Sequence, residues 1–365
     1  MNNKKNSVAS YLIIICLIYL SAFMIISPTR SIESAEKSLF ICGNIVIPTL
    51  FPFIFCANMF IALGLARMMS NYISKIMYPI FGVSGAGGLA LVLGITSGYP
   101  VGASCAATLY KMGECSKTEA EKLLTFCNNS GPMFIIGAIG VGMLKSYKIG
   151  IIFYVIHIIS SLICGVIFKK YGKVQQTNEL PGSRYESNIR SLSSDIANAL
   201  NTSIDTIMKI CGFVIIFAVF TSILPDTNYK KYIYAFIEIT GGINELIANG
   251  ISPVTFPFIS AFLSFSGLSV LAQVSSIITP AGLSIKPYII GKSIQSAISF
   301  ILTYLFFSFF PVSIDAFSYN KEYNVFVFTV EELIFKSLIT VIICVIFIAA
   351  LIILSKISHK TKRHI

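Results

Sequence analysis

Charged residues are scarce in this sequence. They form 12% of its 365 residues, whereas 55% are hydrophobic. Soluble domains are about one quarter charged, so this composition fits a chain that folds in an apolar solvent. The hydrophilic segments are too short to form a soluble enzyme domain, and none alternates polar and apolar residues as a solvated domain does.

Histidine is rarer still, and metal-binding cysteine spacings are absent. Two of the three histidines, His359 and His364, lie in the C-terminal tail, and His157 lies within a hydrophobic run. The nine cysteines form no CxxC pair, and a thiol in an apolar run acts as a small hydrophobe. The sequence therefore predicts no enzyme activity, no metal site and no cofactor.

Long uncharged runs take the place of the missing charges. A helix needs roughly 20 apolar residues to cross the hydrocarbon of a bilayer. Four runs approach or reach this length: residues 8–26, 149–168 (which contains His157), 293–314 and 337–355. They predict an all-α, polytopic α-helical membrane protein that has the lipid bilayer as a partner.

The net charge of +11 comes mostly from the N-terminus, the segment 169–190 and the tail 356–363. Lysine and arginine accumulate in cytoplasmic segments beside membrane spans, so both termini and a loop at 169–195 are predicted to be cytoplasmic. The same side chains suit anionic lipid, and they do not indicate nucleic acid. The first run lacks a small-x-small cleavage site, so we expect a retained helix rather than a signal peptide.

The two halves of the chain match each other at an offset of 169 residues. This offset predicts an N-terminal membrane anchor helix (1–33), a first repeat (34–168), the loop (169–195), a second repeat (196–314) and a C-terminal helix with a basic tail (315–365). Whether the repeats are parallel or inverted stays open. The matched pairs include Cys42 and Cys211, Gly43 and Gly212, Ser97 and Ser266, Gly98 and Gly267, Gly113 and Gly282, and Lys117 and Lys286.

Each repeat contains an uncharged stretch that glycine and proline interrupt, at 76–110 and at 246–285. Both stretches are too long for one helix and too short for two full spans. Non-helical backbone at membrane depth persists only inside protein or beside a wet cavity, and paired interruptions of this kind point to a transporter binding site. The alternative is a tight helix bundle that uses glycine for close contact.

A third interruption, Asn128-Asn129-Ser130-Gly131-Pro132, lies in the uncharged run 123–144. Pro132 cannot continue a regular helix, and a half-helix that starts there directs its positive end at the preceding residues. This pattern favours a substrate site. The alternative is that the two asparagines only bond to neighbouring helices.

Several motifs in the first repeat resemble a known family. They are Gly-Tyr-Pro-Val-Gly-Ala at 98–103, Leu-Tyr-Lys-Met-Gly-Glu at 109–114, Asn-Asn-Ser-Gly-Pro at 128–132 and the glycine-rich run at 134–144. They resemble the sporulation integral membrane proteins of the YlbJ or SpoVV type, whose core is the Gate (nucleoside-recognition-like) domain. The resemblance implies re-entrant helices and a fold distantly similar to concentrative nucleoside transporters. It departs at Ser104, where the family often has lysine.

The same resemblance implies export of dipicolinate (pyridine-2,6-dicarboxylate) from the mother cell across the outer forespore membrane. The three interrupted segments contain no charged residue, so the sequence predicts recognition of a small anion by backbone N–H groups, amides and hydroxyls, without a buried cation. The absence of an intramembrane carboxylate favours facilitated passage over proton coupling. The candidate substrate-binding residues are Ser97, Gly98, Tyr99, Asn128, Asn129, Ser130, Gly131, Ser266, Gly267, Ser269 and Gln273.

Two other functions stay open at this point. A transporter of nucleosides or other small metabolites would use the same fold and site. A membrane protein needed for assembly of the spore envelope (cortex) would need no substrate site at all. The sequence also leaves open whether the protein is a homo-oligomer.

Overall fold

The computed structural model describes residues 2–172, 192–224, 229–248 and 255–309, and every regular element in these ranges is a helix. The prediction of an all-α, polytopic membrane protein is confirmed, because four helical segments are long and apolar enough to cross a membrane. The predicted run 8–26 lies in the first helix, and the run 337–355 and the tail lie outside the described residues. The four spans are Tyr147–Lys170, Leu192–Ser222, Thr255–Ala281 and Lys286–Phe309.

The described part of the chain contains fourteen α-helices, a long π helix (Met133–Met143, called the π helix below), a short π turn (Cys42–Val46) and two 3-10 turns (Phe168–Lys170 and Thr279–Ala281). The α-helices are α1 (Asn2–Ile26), α2 (Pro28–Ile41), α3 (Ile47–Ala62), α4 (Leu65–Phe81), α5 (Gly87–Thr96), α6 (Val101–Lys111), α7 (Lys117–Leu124), α8 (Tyr147–Ile167), α9 (Leu192–Ser222), α10 (Lys230–Ile237), α11 (Ile239–Ala248), α12 (Thr255–Phe265), α13 (Gly267–Ile278) and α14 (Lys286–Phe309).

A hairpin, a broken span and an unbroken span form the first structural unit. α5 and α6 pack against each other and meet at residues 97–100, which we call the first tip. α7 and the π helix follow one another but are separated by residues 125–132, the first break, and α8 packs against the π helix. Glycine fits the first tip because Gly98 has a φ of 89°, a left-handed conformation that other residues adopt only at a cost.

The second structural unit has the same order. α10 and α11 pack against each other and meet at Glu238, the second tip. α12 and α13 do not fold back on each other within the described chain; they form one span that is interrupted at Ser266, the second break. α14 follows as the unbroken span.

Lysines tie together the helix ends on one side of the first unit. Lys122 Nζ donates to Gly82 O (2.9 Å) and to Lys169 O (3.0 Å), and Lys169 Nζ donates to Pro79 O. These carbonyls belong to the C-terminal ends of α4 and α8, where a cation is favourable. α4 and α8 therefore end at this side, which we call the Lys122 end, and α5 and α7 begin there.

The two units run in opposite directions. Cys164 Sγ donates to Gly291 O (3.3 Å), and Gln295 Nε2 donates to His157 O (3.2 Å). The residue order is reversed along the two helices, so α8 and α14 are antiparallel. α14 begins at the Lys122 end, because Ser284 N, just before it, donates to Glu121 Oε1 (2.9 Å).

Aromatic contacts orient the second hairpin. Tyr232 packs on Phe258 and Phe236 stacks on Phe265, with ring centroids 5.4 and 4.9 Å apart. α10 therefore runs parallel to α12, towards the second break. The first hairpin opens at the Lys122 end and the second hairpin opens at the opposite end, which is the arrangement of inverted repeats.

The offset of 169 residues brings Cys42 into contact with Cys211, its matched residue. In the second block of matches, from Ser97 onwards, the offset does not pair structural counterparts. It aligns the α5–α6 hairpin with the broken span α12–α13, and Gly98 with Gly267. The structural counterpart of Ser266-Gly267 is Ser130-Gly131, because both pairs lie at the break of a span. Gly98 and Gly267 nevertheless share a local feature, because both follow a short helix and both have positive φ (89° and 75°). The same left-handed glycine conformation therefore occurs in two segments of different topology, a hairpin and a broken span.

Two predicted domain boundaries fall inside helices. α2 begins at Pro28, where a proline in the first turn gives up no needed N–H group, so residue 33 lies within α2. α9 begins at Leu192, so the boundary at 195/196 lies within α9. Residues 173–191 of the predicted loop lie outside the described residues, as does the segment 315–365.

Candidate substrate site

Both tips and both breaks meet in one buried region, which we call the central site (residues 97–100, 128–131, 237–239 and 264–267). A Cβ on Gly98 would lie 2.8 Å from Gly131 N, so the first tip rests on the first break. A Cβ on Gly267 would lie 3.2 Å from Ile237 O, so the second tip rests on the second break. Ser130 Oγ donates to Leu263 O (3.3 Å) and thereby joins the two broken spans.

Side chains satisfy the backbone groups that the first break sets free. Phe126 O accepts from Asn129 Nδ2 (2.8 Å) and from Ser161 Oγ (2.6 Å). Ser130 N donates to His157 Nε2 (3.0 Å). Membrane-embedded backbone must find such partners once a helix is interrupted. Pro132 has helical dihedral angles and directly precedes the π helix, which begins at Met133.

His157 connects the two breaks and lies beside the central site. Its Nε2 accepts from a backbone N–H group, so the proton of the neutral ring is on Nδ1. Nδ1 lies 3.1 Å from Ser264 Oγ, next to the second break. The sequence indicated only an isolated histidine, because the partner residues Ser130 and Ser264 are far from it along the chain.

The two asparagines of the first break bond to protein on both ends of their amides. Asn128 Oδ1 accepts from Ala103 N (3.2 Å), and its Nδ2 donates to Tyr288 Oη (3.3 Å). Asn129 Oδ1 accepts from Gln295 Nε2 (3.2 Å). Both asparagines are completely buried, so they join α6 and α14 to the first break and hold its shape.

Other predicted contact residues carry free hydroxyls. Ser97 Oγ, Tyr99 Oη and Ser266 Oγ are buried and have no hydrogen-bond partner among the described residues. Tyr99 lies beside Ser130, and Ser266 lies beside Tyr288, but neither pair meets the distance and angle criteria of a hydrogen bond. A buried hydroxyl without a partner costs about 1–3 kcal/mol. Three of the five such groups among the described residues lie at the first tip and the second break, and this grouping is the strongest indication of a ligand site.

Ser266 also has an unusual backbone. Its φ is 76°, and a residue other than glycine in this region is strained, which is common at functional sites. The remaining two candidates, Ser269 and Gln273, are buried on α13 and bond to each other (3.4 Å). No hydrogen bond among the described residues joins either of them to the first break.

The predicted absence of a buried cation is wrong. Lys292 is 1% exposed, and its Nζ donates to Gln295 Oε1 (2.8 Å), the residue that holds Asn129. Glu238 is buried at the second tip, where its carboxylate accepts from Thr240 N (3.0 Å) and Gly241 N (2.7 Å). Both residues lie outside the uncharged segments in sequence; the fold places Glu238 in the central site and Lys292 beside it, bonded to the residue that holds Asn129.

Among the described residues no cluster of three or more His, Cys, Asp or Glu side chains is placed to hold a metal ion.

A polar face of α14 was the signal that could have identified Lys292. The polar face has helical spacing and is almost completely buried. It comprises Tyr288, Lys292, Gln295, Ser299 and Thr303.

The chain is similar to the sporulation integral membrane protein YlbJ of Bacillus subtilis (strain 168). The two are 28% identical over 317 residues, which cover 76% of this chain and 78% of the relative. This similarity confirms the predicted resemblance to sporulation membrane proteins of the YlbJ type. No family model and no solved structure matches the chain, so the Gate domain and the likeness to concentrative nucleoside transporters stay predictions.

Proposed function

We propose that this protein is a membrane transporter of a small anionic metabolite in endospore formation. The specific role that we propose is export of dipicolinate from the mother cell across the outer forespore membrane. The observation that carries the proposal is the set of unpartnered, buried hydroxyls of Ser97, Tyr99 and Ser266. They lie where interrupted helices of both units meet, the location at which transporters with inverted repeats bind substrate.

The chemistry of these groups suits a planar carboxylate. Hydroxyl groups donate to carboxylate oxygens, and the ring of Tyr99 provides an aromatic surface for a flat ring. That ring already packs edge-on against Phe134, with centroids 6.4 Å apart. The relative YlbJ is described as a sporulation protein, which supports the cellular role.

The question of proton coupling is reopened by the buried ionisable residues. The sequence favoured facilitated passage because the interrupted segments contain no charged residue. His157, Glu238 and Lys292 are all buried at or beside the central site, so that reason no longer holds. Counterflow at equal pH, compared with uptake driven by a pH gradient, separates the two modes.

Counterflow of labelled dipicolinate in proteoliposomes tests the proposal. We expect the purified protein to exchange labelled for unlabelled dipicolinate, and we expect uridine not to compete. Competition by uridine would assign the site to nucleosides instead. A folded protein that exchanges neither compound would overturn the transport proposal.

One observation favours the assembly role as a second candidate. Asn128, Asn129 and Ser130 all have protein partners, as in a purely structural polar core. Under this alternative, Ser97→Ala combined with Tyr99→Phe leaves sporulation intact, because the fold needs neither hydroxyl. Under the transport proposal, the same variant is made at normal level but its spores lack dipicolinate.

A further inference from the structure

Lys292 differs from the other buried lysine of the described chain. Lys122 donates to two backbone carbonyls at helix ends, which accounts for its burial. Lys292 is equally buried, at 1% exposure, but its described hydrogen bond goes to the neutral amide of Gln295. Within the described ranges no carboxylate forms an ion pair with it. A buried ammonium without a counter-charge costs several kcal/mol. A function of the charge itself would account for a lysine at this position.

Hydrogen bonds connect Lys292 to the central site through Gln295. Gln295 Oε1 accepts from Lys292, and Gln295 Nε2 donates to Asn129 Oδ1 at the first break. One turn before Lys292 on the same face of α14, Tyr288 accepts from Asn128. Residues four apart on a helix are neighbours, so Lys292 lies between two side chains that contact the first break.

We propose that Lys292 is the cation of the binding site and pairs with a carboxylate of the anionic substrate. This inference rests on the proposed function and specifies its charge recognition. When substrate binds, the Lys292 ammonium exchanges its hydrogen bond to Gln295 for an ion pair with a substrate carboxylate. The hydroxyls of Tyr99 and Ser266 bind other polar atoms of the substrate. A carboxylate in this position supplies the counter-charge that the protein lacks there, and a substrate with two carboxylates gains more than one with a single carboxylate.

Lys292→Met tests this role, because methionine has a similar shape, lacks the charge and removes the cost of burying it. The probes are labelled pyridine-2,6-dicarboxylate, with unlabelled pyridine-2,6-dicarboxylate and pyridine-2-carboxylate as competitors. Binding to the purified protein and counterflow in proteoliposomes are both measured. Lys286→Gln, at the exposed start of the same helix, is the matched control, and Lys292→Arg tests rescue by charge.

We expect the wild-type protein and Lys286→Gln to prefer the dicarboxylate. Lys292→Met should bind it ~10-fold more weakly or worse and should lose the preference over the monocarboxylate. Lys292→Arg should keep the preference even if its affinity falls. A purely structural lysine would instead change protein stability and leave the preference intact.

The outcomes separate this inference from the proposed function. If wild type and Lys292→Met bind the dicarboxylate equally well, Lys292 is not the substrate cation, whereas the transport proposal stands. If the wild type neither binds nor exchanges either anion, both proposals are overturned. If Lys292→Met does not fold, the test is the preference of Lys292→Arg for the dicarboxylate over the monocarboxylate. Loss of this preference in a folded arginine variant counts against the proposal.

Discussion

At the scale of single residues, the central site contains two kinds of polar side chain. Asn128, Asn129 and Ser130 have protein partners, whereas Ser97, Tyr99 and Ser266 have hydroxyls without one. The sequence predicted all six as substrate contacts, because composition and spacing do not reveal which polar atoms another helix already satisfies. That distinction depends on tertiary contacts and yields different predictions for the two groups.

Tyr99→Phe should impair transport without harming the fold. The change removes a buried hydroxyl that has no partner, so the free energy of unfolding should stay constant or rise by about 1 kcal/mol. Counterflow of dipicolinate should fall by ~10-fold, as expected for one lost hydrogen bond to a charged ligand. Thermal unfolding in detergent and counterflow measure the two effects.

Tyr78→Phe is the control for this change, because Tyr78 is 41% exposed on α4. It should alter neither quantity. A Tyr99→Phe protein that unfolds more easily yet transports at the normal rate would show that the hydroxyl is structural.

Asn128→Leu should reduce both stability and transport. Leucine leaves Ala103 N and Tyr288 Oη without their partner in a buried region, which costs about 1–3 kcal/mol for each group. Ser130→Ala, which removes a donor to a single carbonyl, should cost less. Unfolding midpoints of the two variants are compared directly, and an Asn128→Leu protein as stable as wild type would contradict the described contacts.

At the scale of elements, the sequence predicted where helices are interrupted, but it did not predict which interruptions correspond in the two structural units. Glycine and proline act locally, so the sequence located the first tip and the first break. The second tip is formed by Glu238, a residue with no turn signature, which ends α10 with an extended backbone (φ −134°, ψ 117°) and accepts from the N–H groups of the next helix. Only packing of α11 against α10 identifies this segment as a hairpin.

Gly94→Ala should disturb the first hairpin and through it the first break. An added Cβ would overlap Cys127 O in the first break and would lie 3.2 Å from Gly102 Cα on the other arm. Backbone atoms cannot yield as a flexible side chain does, so we expect a loss of about 2–3 kcal/mol. Retention of a monodisperse protein after heating, followed by size-exclusion chromatography, measures the effect.

Gly212→Ala is the matched control in α9, since no atom lies within 4 Å of an added Cβ there. It should be neutral or stabilising by up to about 1 kcal/mol, because alanine favours helix. Equal behaviour of the two alanine variants would mean that α5 does not approach the first break as closely as described.

At the scale of the whole molecule, inversion of the two units has a consequence for sidedness. The first hairpin opens at the Lys122 end and the second at the opposite end. In a protein without its native cysteines, Lys111→Cys and Tyr229→Cys place single thiols at the exposed bases of the two hairpins. A membrane-impermeant maleimide should label them from opposite sides of the membrane.

Two further positions serve as controls for labelling. Lys170→Cys, just after the end of α8, should react from the same side as Lys111→Cys. Lys148→Cys, at the start of α8, should react from the same side as Tyr229→Cys. Labelling of all four from one side would refute the inverted arrangement.

The broken spans also determine how a membrane voltage acts on the substrate. α12 and α13 contain 11 and 12 residues, or about 16–18 Å each, so the second break lies near the middle of a hydrocarbon layer of ~30 Å. Carrying one elementary charge through the whole potential is worth ~2.3 kcal/mol per 100 mV. An anion that reaches the central site from either compartment therefore crosses about half of the electric field, and reversing the voltage exchanges the compartment from which loading is favoured.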